Sequence, residues 1–213
     1  MGSLRNIWSG VRAAARAAQS ALPVYACPGA AGVPVSEETA LALSAVYRAI
    51  AVLADSVALL PLHHYRDLDD SNRERQRRSR LEFLINYEPH PQMDGFTFKL
   101  TMMQYLLGWG NAIAQKEVVD GRLESLWPIH PSRVRPHYDN GRFVGYLVRE
   151  GDRGEEKELA PEEVFHLPNR PADGIWGRSP IKVGAGSFGE ALAAQRSAQS
   201  FYANGAKPGG ILA

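Results

Sequence analysis

Six histidines are the residues best suited to chemistry in this chain: His63, His64, His90, His130, His137 and His166. An imidazole titrates near neutral pH and serves as a general base, a proton shuttle or a metal ligand. A zinc site on one helix face needs two of them four residues apart with a glutamate between, and no pair has that spacing. His63 and His64 are adjacent on an expected strand, where successive side chains point to opposite faces and cannot share an ion. What remains is a metal-dependent hydrolase built from His130, His137 and the acid Asp139, which are close only in sequence. His130 lies in "LWPIHPSRV", between Pro128 and Pro131 and near Trp127. The prolines stiffen the backbone there, and His130 reads as a corner residue between two strands.

Nucleophile and phosphate motifs are weaker still. "GAGSFGE" surrounds Ser187 with glycines, but within an expected helix, where a strained nucleophile elbow does not form. Its Gly184, Gly186 and Gly189 follow helical residues instead of a strand and lack the Gly-Lys-Ser/Thr ending of a phosphate loop. Cys27 is the only cysteine, so no disulfide forms within the chain, and it has no basic neighbour to activate it. The expectation is therefore no catalytic residue, no cofactor and no metal.

Composition bounds the rest. The chain has 213 residues, 45% hydrophobic and 22% charged, with a formal charge of +1. That length buries a real core, and a near-zero charge argues against broad neutralisation of nucleic-acid phosphates. No apolar run reaches the ~20 residues that span a bilayer. Residues 1 to 22 carry Arg5, Arg12 and Arg16 without an acid, and set Leu4, Ile7, Trp8 and Val11 at helical spacing. They read as a basic arm that orders against a neighbour, with a membrane-surface or partner-docking helix as the alternative. Pro23, Pro28, Gly29, Gly32 and Pro34 make the linker that follows.

The elements that would position these groups are legible in outline. Ser36 caps a helix, with Glu37 and Glu38 at the positive end of its dipole. Val46, Ile50, Leu53, Val57 and Leu60 form one apolar stripe of a core helix that runs to Pro61. "PLHHYR" reads as a strand. "DLDDSNRERQRRSR" reads as a solvated loop, because acids interleave Arg73, Arg75, Arg77, Arg78 and Arg80 and no aromatic is present for base stacking. A short helix over "LEFLIN" precedes a long one capped by Asp94, with Phe96, Leu100, Met103 and Leu107 inward and Gly108 and Gly110 at its end. Asp120-Gly121 and Asn140-Gly141 mark two hairpins, and "EGDRGEEKE" is a polar connection. "APEEVFHL" is a helical turn entering a strand. Ser179-Pro180 heads a third long helix, Ile181 to about Tyr202, stopped by Asn204-Gly205.

The fold class is α+β: long helices packed on a mostly antiparallel sheet of hairpins, ending in a long Ala/Gly-rich helix. The division is a flexible basic arm and linker over 1–35, an α+β body over 36–178, and the long helix with the start of a further segment over 179–213.

Four stretches in this order resemble one family: "AVYRAIAVLADSVALLPLHHYR", "LINYEPHPQMDGFTFKLTMMQYLLGWGNAIAQKEVVDGRLESLWPIHPSRV", "PEEVFHL" with "GIWGRSPI", and "FYANGAKPGGIL". The chain is similar to the phage portal proteins, the head-to-tail connectors of long-tailed bacteriophages and prophages. The resemblance implies a wing-like body over 36–178 and a stem-like helix after it. It implies a non-enzymatic subunit of a homo-oligomeric ring, a dodecamer in the full-length protein, at the capsid vertex of a virion. Double-stranded DNA would pass through the ring without sequence-specific binding. Terminase, the major capsid protein and a head-tail adaptor would dock on it, and no membrane is involved. The subunit would be made in the bacterial host cytoplasm, from a prophage. Family chains continue past "GGIL" through clip, stem and crown segments, so the resemblance covers an N-terminal half, from an artificially shortened chain or a truncated prophage gene.

Overall fold

The structure, a computed structural model, describes residues 27–28, 32–69, 72–76, 79–150 and 155–206. The basic N-terminal segment lies outside the described residues, as do Arg77, Arg78 and the chain after Ala206. The architecture is α+β, and every strand pairing is antiparallel.

A two-residue ladder, β1 (Cys27–Pro28) with β2 (Pro34–Val35), precedes helix α1 (Glu37–Leu41). Ser36 caps α1 as expected: its Oγ accepts from the Thr39 N–H at 3.1 Å, and Thr39 Oγ1 accepts from the Ser36 N–H at 2.7 Å. The single helix expected from Ser36 to Leu60 is instead two. Leu43 takes an extended conformation and packs onto the apolar cluster of Val33, Val35, Ala40 and Ile181, and α2 (Ser44–Ala58) starts afresh after it. Nor is α2 a core helix: it buries Ala54 and Ala58, while Leu53 and Leu60 of the expected stripe are 53% and 57% exposed.

The charged "loop" is a hairpin of β3 (Tyr65–Asp69) and β4 (Asn72–Arg75). The strand begins only after the histidine pair, because the hairpin register sets Tyr65 opposite Arg75. Helix α3 (Arg80–Asn86) leads to α4 (Gly95–Trp109), whose cap is Asp94 Oδ1 accepting from the Thr97 N–H at 2.7 Å. The buried side of α4 carries Phe98 and Met102, with Phe96 40% exposed, so the expected stripe is rotated. Apolar residues occur all round α4 because it packs both on the sheet and along α2, and periodicity cannot choose a face there.

Strands β5 (Asn111–Val119) and β6 (Arg122–Ile129) form the first expected hairpin, with positive φ at Asp120 and Gly121. With β10 (Val164–Pro168) they make a sheet of order β10-β5-β6. β5 alternates across it. Ala112 and Ala114 face α3 and α4 with Leu84, Phe98 and Met102, and Ile113 faces the second sheet with Val134, Tyr146, Val148 and Leu159. That second sheet is β7 (Val134–Asp139), β8 (Arg142–Glu150) and β9 (Glu155–Leu159), its first turn at Asn140 and Gly141 as expected. The expected polar connection therefore contributes a strand, since "EEKEL" pairs with β8 and its Leu159 is 1% exposed. One-turn 3₁₀ helices at Pro131–Arg133 and Pro161–Glu163 enter β7 and β10.

The terminal helix is also interrupted. Ser179 caps α5 (Pro180–Val183), Gly184 breaks it, and α6 (Ala185–Ala203) follows with Asn204 as its C-cap. Ile181, Ala185 and Leu192 hold α5 and α6 to the N-terminal ladder and α1.

Candidate functional site

A densely bonded polar cluster sits where α4 turns into β5. Gly110 ends α4 with φ 80, a left-handed conformation that favours glycine. A Cβ there would run into the Arg178 carbonyl, and a Cβ at Gly177 would run into the Gly110 carbonyl. Two glycines thus let the loop before α5 cross the α4–β5 turn backbone against backbone. Asn169 N–H donates to Gly110 O at 2.8 Å, Arg178 N–H to Asn169 O at 2.8 Å, and Ser179 Oγ to Gly108 O at 2.8 Å.

Asn111, 1% exposed, fastens the crossing. Its Oδ1 accepts from Gly177 N–H at 2.7 Å, and its Nδ2 donates to Gly177 O at 3.0 Å. An amide side chain sets an acceptor oxygen and a donor nitrogen side by side, matching the N–H and carbonyl of one residue. The same Oδ1 lies 2.9 Å from His166 Nε2, so Nε2 carries the proton. His166 Nδ1 is then an acceptor, and the Tyr146 hydroxyl, 3.0 Å away, donates to it. Burial holds the imidazole neutral, with its pKa lowered to about 4, and raises the Tyr146 phenol. Aromatic rings continue the contact: Tyr146 meets His166 edge-on at 5.5 Å, and Trp176 lies 5.5 Å from it on the loop. Asp173 pins the loop further, its Oδ1 accepting from the Ile175 and Trp176 N–H groups and its Oδ2 from Tyr138 Oη at 3.0 Å. Those backbone donors hold the Asp173 carboxyl below its usual range.

The other histidines are dispersed. His90 is 5% exposed and stacks on Trp127 at 4.1 Å, and burial lowers its pKa. His130 stands at the head of the 3₁₀ turn, its ring 5.0 Å from Tyr105 and 4.6 Å from Trp109, both edge-on. Its Nδ1 lies 2.7 Å from Ser132 Oγ, and burial leads the lowering of its pKa. His137 reaches Glu158 at 2.7 Å across the second sheet. Asp139 is at the hairpin turn, against Asn140. The hydrolase trio is not assembled, and among the described residues no group of three or more His, Cys, Asp or Glu could hold a metal ion. Ser187 lies within α6, and Cys27 in β1.

His63 and His64 line a shallow cleft of about 400 Å³ beside the β3–β4 hairpin. Its charges pair among themselves. Arg75 bonds Glu82 at 2.6 Å, Arg73 bonds Asp67 at 2.9 Å, and Glu82 also accepts from the His64 N–H at 3.1 Å. Arg75 and these donors pull the Glu82 carboxyl down to about 2. Arg80 bonds Glu124 at 3.0 Å. The arginine run, where described, is thus tied to acids.

In the Asn111 cluster both imidazole nitrogens are engaged, Nε2 by the Asn111 oxygen and Nδ1 by the Tyr146 hydroxyl. The cluster fastens four chain segments together. Sequence inspection alone did not pick out Asn111, Tyr146 or Gly177. The signal was present: "GWGNAI", "EVFHL" and "GIWGRSPI", pieces of two of the four matching stretches, meet here.

The sequence model described as Phage portal protein matches residues 44–213. The portal protein of Enterobacteria phage HK97 is 30% identical over 183 residues, covering 84% of this chain and 42% of that protein. A probable portal protein of Streptomyces phage phiC31 is 30% identical over 192 residues, covering 86% and 41%. This chain therefore spans less than half the length of these curated relatives. Among solved structures, a subunit in the neck of a native gene transfer agent particle, computed with C12 symmetry, shares the fold at TM-score 0.63. It is 19% identical, with 83% of this chain and 49% of that one covered. With the family model matching residues 44–213, most of the sequence, this chain belongs to the phage portal protein family.

Proposed function

We propose that the chain forms the wing-like body and first stem-like helix of a portal subunit and works by shape, without catalysis. Copies close into a ring, a dodecamer in the whole protein, at one vertex of a phage capsid. Double-stranded DNA passes through that ring during packaging and ejection, and terminase, the major capsid protein and a head-tail adaptor dock on it. The subunit is made in the bacterial host cytoplasm, from a prophage, and ends in the virion. The division into an arm over 1–35, a body over 36–178 and a helical segment over 179–213 belongs to the same reading.

The observation that carries it is family membership over residues 44–213, beside a fold shared with a neck subunit of twelve-fold symmetry. The formal charge of +1 supports it too. A channel must let the duplex slide, and neutralising 6 to 10 phosphates changes affinity by roughly 10³ to 10⁵ over moderate salt. The six histidines are engaged in packing, hydrogen bonds or pairing, which supports a structural role. The test is negative-stain microscopy with sedimentation velocity over a range of protein concentration. Rings with a central channel are expected of the full-length protein, and a full-length protein that is strictly monomeric at high concentration overturns the reading.

A further inference from the structure

The outward side of α2 and the far end of α6 are two helix faces that nothing in the described chain covers. On α2, Arg48, Val52, Asp55 and Leu59 recur at i, i+4, i+7 and i+11, one face of a helix. All four are exposed, Val52 by 45% and Leu59 by 72%. On α6, every residue from Ala194 to its end at Ala203 is exposed. Glu190, Ala194, Ser197 and Phe201 fall on one face at the same i, i+4, i+7, i+11 spacing, with Phe201 48% exposed. An isolated helical end gains little from propensity alone and depends on packing for its stability.

The two faces complement each other. Side by side in parallel, they place Arg48 against Glu190, Val52 against the small Ala194, Asp55 against the Ser197 hydroxyl, and Leu59 against Phe201. None of the three charged groups has an ion pair among the described residues. The matched stretch covers about 16 Å of helix. A ring requires such a contact between two different patches of each copy, because a self-complementary patch closes a dimer and stops. We propose that the α2 face of one copy receives the α6 face of the next, the occupant being a second copy of this chain. The inference rests on the ring reading above and adds the contact that would build the ring.

The test uses disulfide trapping in a Cys27→Ser background, with Val52→Cys and Ala194→Cys as the probes. Under mild oxidation, a mixture of the two single variants gives a cross-linked dimer and no higher species, and the chain carrying both gives a ladder. Arg48→Glu weakens assembly in sedimentation velocity, and adding Glu190→Arg restores it, with circular dichroism confirming the fold of each variant. Val52→Cys cross-linking to itself overturns the proposal in favour of an antiparallel α2 pair, with Arg48 opposite Asp55 of the other copy. Rings in the microscope without the 52–194 cross-link overturn this contact and leave the ring reading standing. The variants are made in the full-length protein, and a full-length protein that never assembles removes both.

Discussion

Asn111 and Gly177, 66 residues apart in sequence, exchange two hydrogen bonds: the side-chain oxygen accepts from the glycine N–H at 2.7 Å and the side-chain nitrogen donates to the glycine carbonyl at 3.0 Å. Replacing Asn111 with alanine leaves both glycine groups and the His166 Nε2–H without their partner. Each unsatisfied buried group costs about 1–3 kcal/mol, so Asn111→Ala is expected to lower stability by about 3 kcal/mol or more in urea unfolding. Asn111→Asp keeps the acceptor but loses the donor and buries a charge, so it should be no milder.

His166 makes stability depend on pH. Its folded pKa, about 4, lies below the ordinary 6.5, so between these values the unfolded chain takes up a proton that the folded chain refuses. Stability from this group is complete above pH 6.5, declines as pH falls toward 4, and levels off below; the full shift corresponds to about 3 kcal/mol. Burial of His90 and His130 adds slopes of the same sign. The check is the difference between wild type and His166→Phe in melting temperature from pH 7.5 to 4: the variant melts lower at neutral pH and shows the shallower slope.

A second window belongs to Glu82. Its pKa is depressed from 4.5 to about 2 by Arg75 and by the His64 N–H. Its contribution is present above pH 4.5 and lost as pH falls toward 2. Glu82→Gln should release the β3–β4 hairpin from α3 at neutral pH without unfolding the body. Amide exchange across residues 64–75 is the readout, with acceleration of about tenfold expected there and little change in β5.

Metal removal should leave the protein unaffected. Millimolar EDTA is expected not to move the melting temperature, and elemental analysis of the purified protein is expected to find no stoichiometric ion. Loss of stability on chelation, reversed by zinc and abolished by His137→Gln, would revive the hydrolase reading.

Local signals in the sequence reported what local chemistry decides. Asp120-Gly121 and Asn140-Gly141 named their turns because positive φ is required there, and Ser36, Asp94 and Ser179 named their helix starts because each supplies an oxygen to an orphan N–H. Tertiary demands were invisible by the same logic. The break at Leu43 exists because that side chain is needed in the cluster with Ala40 and Ile181. The rotated face of α4 reflects packing on two sides. β9 was missed because "EEKEL" has the composition of a loop, and only its pairing with β8 makes it a strand. The junction was hidden for a different reason: Asn111, Tyr146, His166 and Gly177 become one cluster only when four distant segments fold together. No window of sequence contains them.

The crossing at Gly110 and Gly177 also sets an order of events during synthesis. A nascent chain that has reached β10 already holds Asn111, Tyr146 and His166, yet the amide and carbonyl that complete their network arrive only with residue 177. The sheets can pair before then, but the junction itself cannot close until that loop has emerged, leaving the Asn111 amide without its Gly177 partner in the meantime.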